Sequence, residues 1–211
     1  MLTHNRISLA LHHLREGNGR PLLMLHGLGE HSPVTVPAWL DGWDGPIVAL
    51  DFTGHGASTI PVGGGYTAEI LLADADIALA ALGEVTVIGR GLGAYVALQL
   101  AGSRPAAVRG AILCDGPGLA GGSSFPSTQS LFELAPSTHA PDTYALVELS
   151  RDLRPPDYAA TFVRLALAAS PLDEPISVTT TFRPPWVEAV AAEPGVAVST
   201  LAEALQRYAD V

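Results

Sequence analysis

An α/β architecture, a mostly parallel sheet with helices on both faces, is predicted by three observations. Short apolar segments recur at 21–25 (PLLML), 46–50 (PIVAL), 84–88 (EVTVI) and 110–113 (GAIL). Lacking the polar alternation of a half-exposed strand, they suit strands buried on both faces. Segments with apolar residues at helical spacing stand between them, at 67–82 and 92–101, and strands alternating with helices make parallel crossovers. Finally, 211 residues, 48% hydrophobic and 15% charged, suffice for one domain with a substantial core.

The elements follow in order. Residues 6–14 (RISLALHHL) are predicted as an edge strand, and 21–25 as a short buried strand ending at His26-Gly27. A short helix is expected over 35–43, around Trp39 and Trp43, before the strand at 46–50 that ends in Asp51. The helix over 67–82 takes Thr67 as its N-cap and Gly83 as its stop. The strand at 84–88 leads through a Gly-rich turn into the helix at 92–101, and the next strand is 110–113. The rhythm breaks over 116–174, where Gly, Ser and Pro come first and two helices near 143–150 and 156–169 follow. A strand at 176–182, a helix near 185–192, a strand at 196–199 and a helix at 201–209 complete the chain. We read 1–211 as a single domain, with 116–174 as a short cap inserted above the carboxyl ends of the strands, where open α/β sheets bind ligands.

Composition excludes several functions. The net charge is −10, and all 11 basic residues are Arg. They are dispersed, so no basic stripe exists to neutralise nucleic-acid phosphates. The lone cysteine, Cys114, rules out an internal disulfide and a cysteine-cluster metal site. No apolar run reaches the roughly 20 residues of a membrane-spanning helix. Residues 1–6 lack the layout of a signal peptide, so the expected location is cytoplasmic, with no membrane and no nucleic-acid partner. Nothing resembles a metal-binding motif such as His-Glu-x-x-His, and neither metal nor cofactor is expected.

The turns after the strands carry the chemistry. They read His26-Gly27-Leu28-Gly29, then Asp51-Phe52-Thr53-Gly54-His55-Gly56-Ala57-Ser58, then Tyr66-Thr67 opening a helix, and Val87-Ile88-Gly89-Arg90-Gly91-Leu92-Gly93 between strand and helix. In this order and context they resemble the α/β-hydrolase family, in strong register from about residue 20 to 118 and more weakly to the end. The last of them resembles that family's nucleophile elbow, Gly-x-Ser-x-Gly.

That resemblance implies a Ser, Cys or Asp nucleophile, a later acid and a His near the C-terminus. Gly91 stands at the nucleophile position and can form no acyl-enzyme. A non-Gly residue at such an elbow carries strain of about 1–3 kcal/mol, which glycine avoids. The usual acid position falls within 180–185 (TTFRPP), and no histidine occurs after His139. Asp115 sits where some members place their acid, but without a His to orient, it reads foremost as the cap of a turn before Gly116-Pro117. The family's oxyanion-binding N–H groups map to Leu28 and Leu92. With Arg90 beside the turn and His26 in the preceding loop, these four form a candidate site for a carboxylate, ester or carbonyl ligand.

Other candidates carry structural readings of equal or greater weight. His26 and His55 shape loops in the motifs they resemble. His31, beside Glu30, is a candidate general base acting on water, or else a solvated loop residue. Cys114, next to Asp115, reads as a buried thiol. Ser123, Ser124 and Ser127 read as loop residues. Trp39, Trp43, Phe125, Phe132, Tyr144, Tyr158 and Phe162 are candidates to line a pocket or to fill core. The functional expectation is a hydrolase-like protein without the triad that binds a small molecule or regulates a protein partner. The alternative is an esterase-like or cofactor-free enzyme using a nonstandard set at the oxyanion site.

Overall fold

The computed structural model describes residues 1–4, 6–122 and 138–209. Strands β1 (Leu2–His4) and β2 (Ile7–Leu9) form a small antiparallel hairpin. The main sheet comprises β3 (Leu11–Arg15), β4 (Leu22–Leu25), β5 (Ile47–Leu50), β6 (Val85–Arg90), β7 (Val108–Cys114), β8 (Ile176–Val178) and β9 (Val196–Val198). Their spatial order is β3-β5-β4-β6-β7-β8-β9. Only β3, at the edge, runs antiparallel. The six parallel strands therefore deliver their following loops to one end of the sheet.

Helices α1 (Ala68–Leu82), α2 (Leu92–Ser103), α4 (Pro156–Ala169) and α5 (Pro185–Ala191) gather about one face, with Leu23, Leu25, Val87 and Leu113 in their cluster. On the other face, Met24, Ala49, Ile88 and Ile112 meet Leu40, Trp43 and α6 (Leu201–Ala209), which supplies Leu205 and Tyr208. The helix α1 starts where expected. Thr67 Oγ1 accepts from Ile70 N–H, and Gly83, at φ 82°, ends it.

Helix α4 packs against α2 and α5 within the covering layer. The shorter α3 (Thr143–Arg151) lies over the loop that leads from β5 into α1. Glu148 accepts from Gly65 N–H (2.7 Å) and Tyr66 N–H (2.6 Å), while Asp142 accepts from Tyr66 Oη–H (2.7 Å). Phe125, Phe132, Ser123, Ser124 and Ser127 lie outside the described residues.

Three elements differ from expectation. The strand over 6–14 is two strands broken at Ala10, whose N–H goes to Ser58 Oγ and whose carbonyl takes Asp51 N–H. The helix over 35–43 is only a 3-10 turn, Ala38–Leu40, opened by Pro37. The strand over 176–182 stops at Val178 because Thr181 N–H and Phe182 N–H turn to the Asp115 carboxylate.

Pairing between β6 and β7 slips by one residue at Gly110. Val85 pairs Val108 but Val87 pairs Ala111, and Gly110 takes φ 121° to absorb the bulge. A Cβ there would lie 2.4 Å from the Tyr208 ring. Gly110→Ala is therefore expected to destabilise the protein by at least the roughly 1–3 kcal/mol of such backbone strain. Urea denaturation would check it, and an unchanged midpoint would refute the assignment.

Candidate functional site

Gly91 joins β6 to α2 at φ 56° and ψ −117°, the sharp strand-to-helix turn expected of the elbow. It is packed from outside as well. A Cβ on Gly91 would lie 2.0 Å from Pro117 O and 2.5 Å from the Gly116 carbonyl carbon. Both are backbone atoms, so no side chain fits without moving the loop after β7.

That loop occupies the site. Pro117 O accepts hydrogen bonds from Leu28 N–H and Leu92 N–H, each at 3.0 Å. These two donors come from the loop after β4 and the first residue of α2, and the resemblance assigned them to a ligand oxygen. The loop is fastened behind. Arg154, only 3% exposed, donates from Nη1 to the Gly118 and Leu119 carbonyls, and Trp186 Nε1–H donates to Leu119 O at 2.7 Å. Burial pulls the Arg154 pKa down to about 10, partly opposed by Asp152, so the guanidinium stays charged at neutral pH. The Arg154 side chain also lies over the Tyr95 ring, 5.0 Å from its centroid.

The other candidates are distributed around this plug. Asp115 lies at the end of β7 with its carboxylate bound to Thr181 N–H (2.7 Å) and Phe182 N–H (3.2 Å). Its place in the fold is thus that of a loop cap. Cys114 is buried, receives Thr179 Oγ1–H at 3.3 Å, and has its thiol pKa pushed up to about 11, chiefly by burial. His31 is exposed and its Nδ1 bonds Ser32 O at 2.8 Å. Glu30 turns away to Gly27 N–H (2.9 Å) and faces Arg90 Nη2 at 3.5 Å. Arg90 Nε reaches Asp115 O at a long 3.4 Å. Trp43 is core, Trp39 and Tyr158 are partly exposed, and Tyr158 stacks edge-on against Phe162. Among the described residues no three His, Cys, Asp or Glu side chains group to hold a metal ion.

His26 and Asp51 hold the neighbouring loops. His26 Nδ1 bonds Gly27 O at 2.8 Å and its Nε2 accepts Phe52 N–H at 3.1 Å, which fixes a neutral tautomer. Burial, reinforced by His55, lowers its pKa to about 3. Burial alone would raise the Asp51 carboxyl. Hydrogen bonds from Ala57 N–H, Ser32 N–H and His12 outweigh it and hold the pKa below the ordinary value. Sequence reasoning missed Pro117, Arg154 and Trp186. The available signal was Gly116-Pro117-Gly118, since flanking glycines allow close backbone approach.

Comparison with known proteins agrees with this topology. The model of the alpha/beta hydrolase family matches residues 22–210. A bacterial membrane phospholipase A superposes with TM-score 0.54 at 17% identity, over 98% of this chain and 83% of that one. An N-acyl homoserine lactone degrading enzyme aligns at 21% identity and TM-score 0.45, over 53% of this chain and 43% of its own. An epoxide hydrolase from Bacillus megaterium aligns at 25% identity and TM-score 0.45, over 55% and 42%. This chain thus spans less than half the length of the latter two. No curated protein matches it in sequence. No described helix is long and apolar enough to cross a membrane.

The buried imidazoles set a pH dependence. Below a pKa of 6.5 the unfolded chain protonates His26, whereas the folded protein holds it neutral down to about 3. Stability is therefore complete above about pH 6.5 and falls as pH drops toward 3, with a slope on the order of 1.4 kcal/mol per pH unit for this one group. His55, also lowered by burial, acts in the same direction. Urea unfolding across this range should show the fall, and His26→Asn should flatten it. An unchanged slope in that variant would contradict the assignment.

Proposed function

The chain belongs to the alpha/beta hydrolase family, and within it we propose a non-catalytic member that binds a small molecule and whose oxyanion site is closed by its own backbone. The observation that carries this reading is the Pro117 carbonyl, which accepts from both Leu28 N–H and Leu92 N–H. A substrate carbonyl would need those donors, and an attacking side chain would need a Cβ at Gly91, where Pro117 O stands 2.0 Å away. The remaining members of a triad lack carriers too. Asp115 is committed to Thr181 and Phe182, and no histidine follows His139. On this reading 1–211 is one domain with a reduced cap, and the ligand is a carboxylate, ester or carbonyl compound bound away from the elbow. A regulatory role toward a protein partner fits the same reading. The enzymatic alternative gains no support from His31, which is bonded to Ser32 O rather than to Glu30.

Purified protein given a short-chain p-nitrophenyl ester is expected to release product no faster than its heat-denatured control. Saturable turnover abolished by heating would overturn the reading. Gly91→Ser should gain no esterase activity and should lose at least the roughly 1–3 kcal/mol of elbow strain, read from its denaturation midpoint. A stable, active Gly91→Ser protein would show that the loop at 116–119 yields readily.

A further inference from the structure

The crossovers of the sheet are unequal. From β5 to β6 the chain inserts the 15 residues of α1, and from β6 to β7 the 12 of α2. From β4 to β5, however, residues 26–46 contain only the three-residue turn Ala38–Leu40. That span helps cover the sheet face shared with α6, and a loop covers less surface than a helix. A cavity of about 350 Å³ remains, floored by Met24, Ala49 and Ile88 and walled by Pro33, Pro37 and Trp39. It lies on the face opposite the α1–α2 cluster, and its size falls at the lower end of small-ligand sites.

Five polar side chains, His26, Glu30, His31, Ser32 and Arg90, also line it. Arg90 is the one arginine among the described lining residues, which include no lysine, and its side chain is 40% exposed. Its contacts are loose. Glu30 stands at 3.5 Å and Asp115 O at 3.4 Å, both longer than the roughly 2.7–2.9 Å of a charge-assisted bond. Glu30 is meanwhile held by Gly27 N–H at 2.9 Å. The guanidinium thus keeps donors for a planar anion, beside an apolar chamber with an indole wall. The overall charge of −10 disfavours a polyanion more than a monoanion, because the repulsion scales with the charge of the ligand.

We propose that this cavity binds a small monocarboxylic acid with an aromatic or compact aliphatic body, the carboxylate on Arg90 and the body against Trp39 and the Met24–Ile88 floor. The assignment rests on the binding half of the proposed function and not on its non-catalytic half, so ester turnover would sink that half and leave this site standing.

Phenylacetate is the probe, with the neutral phenylacetamide as its control. Trp43 and Trp186 are 2% and 1% exposed while Trp39 is 38% exposed, so a change in tryptophan emission on titration reports this wall. Phenylacetate is expected to change the emission saturably and to raise the melting temperature, with phenylacetamide binding about tenfold or more weakly. Arg90→Gln should abolish that preference, and Ala49→Leu, which fills the floor, should remove binding of both. Should Ala49→Leu fail to fold, Trp39→Ala replaces it, with thermal shift as readout. Equal binding of acid and amide, or a preference that survives Arg90→Gln, would overturn the carboxylate assignment. Absence of binding by either probe at millimolar concentration would overturn the site.

Discussion

The Pro117 carbonyl ties together the ends of the three central strands. It belongs to the loop after β7, and its two donors belong to the loop after β4 and to the helix that follows β6. A carbonyl oxygen has two lone pairs, and here both are used. Each hydrogen bond contributes about 0.5–1.5 kcal/mol, whereas a buried N–H left without a partner costs about 1–3. Two inward-facing amides at a closed strand end are therefore a liability unless a ligand or the protein itself supplies the oxygen. The surrounding sequence follows from this contact. Gly91 and Gly27 lack side chains where Pro117 atoms approach a notional Cβ to 2.0 Å and 2.9 Å, and Arg154 and Trp186 fix the carbonyls that follow. The oxygen that meets both amides is covalently part of the chain.

The acidic surplus has a local use beside its long-range one. Asp51, Asp115, Asp142, Glu30, Glu148 and Asp152 each accept at least one backbone N–H, in loops at the carboxyl end of the sheet or at the starts of α1 and α3. Asp74, on α1, does the same for Thr53 N–H. Loops with few internal hydrogen bonds must find acceptors for their donors, and carboxylates make stronger ones than neutral groups. Asp115 and Glu30, both weighed as candidates from the sequence, each hold loop N–H groups in this way. His26 belongs with them, since its neutral ring gives one bond and takes another.

What was legible in the sequence divides along physical lines. The strands at 21–25 and 46–50 and the helix at 67–82 were readable because burial on two faces, helical period and a Thr67/Gly83 pair of caps are local signals. The extended segment at 6–14 and its place at the sheet edge were readable too, but its break at Ala10 was not, because that is dictated by Ser58 and Asp51, some forty to fifty residues away. The short turn at 38–40 replaced an expected helix because Pro37 governs the start while aromatic spacing around Trp39 and Trp43 suggested periodicity. At the site, the sharp turn at Gly91 between strand and helix could be read directly. The partner of the Leu28 and Leu92 amides could not, because a backbone carbonyl has no sequence identity and only the glycines beside Pro117 betray its close approach. Asp115 was readable as either an acid or a turn cap, and its two N–H partners belong to the second description.

Arg90 stands between two different environments, and the difference originates in loops rather than in the sheet. Toward the elbow, Gly116 packs against the Arg90 backbone and side chain, and the space is filled by chain. Toward α6, the helix-poor crossover leaves Met24, Ala49 and Ile88 facing a chamber. A fold of this kind carries activity in the loops grafted on its strand ends, so one strand end can be filled while another stays open. Filling the elbow removes two unsatisfied amides, which is stabilising whether or not chemistry is needed there. Leaving the chamber open forgoes apolar contacts that a full helix would have made, which is destabilising. The two departures have opposite energetic signs. Stability alone accounts for the first and not for the second, so the chamber is the feature for which function is the more economical explanation.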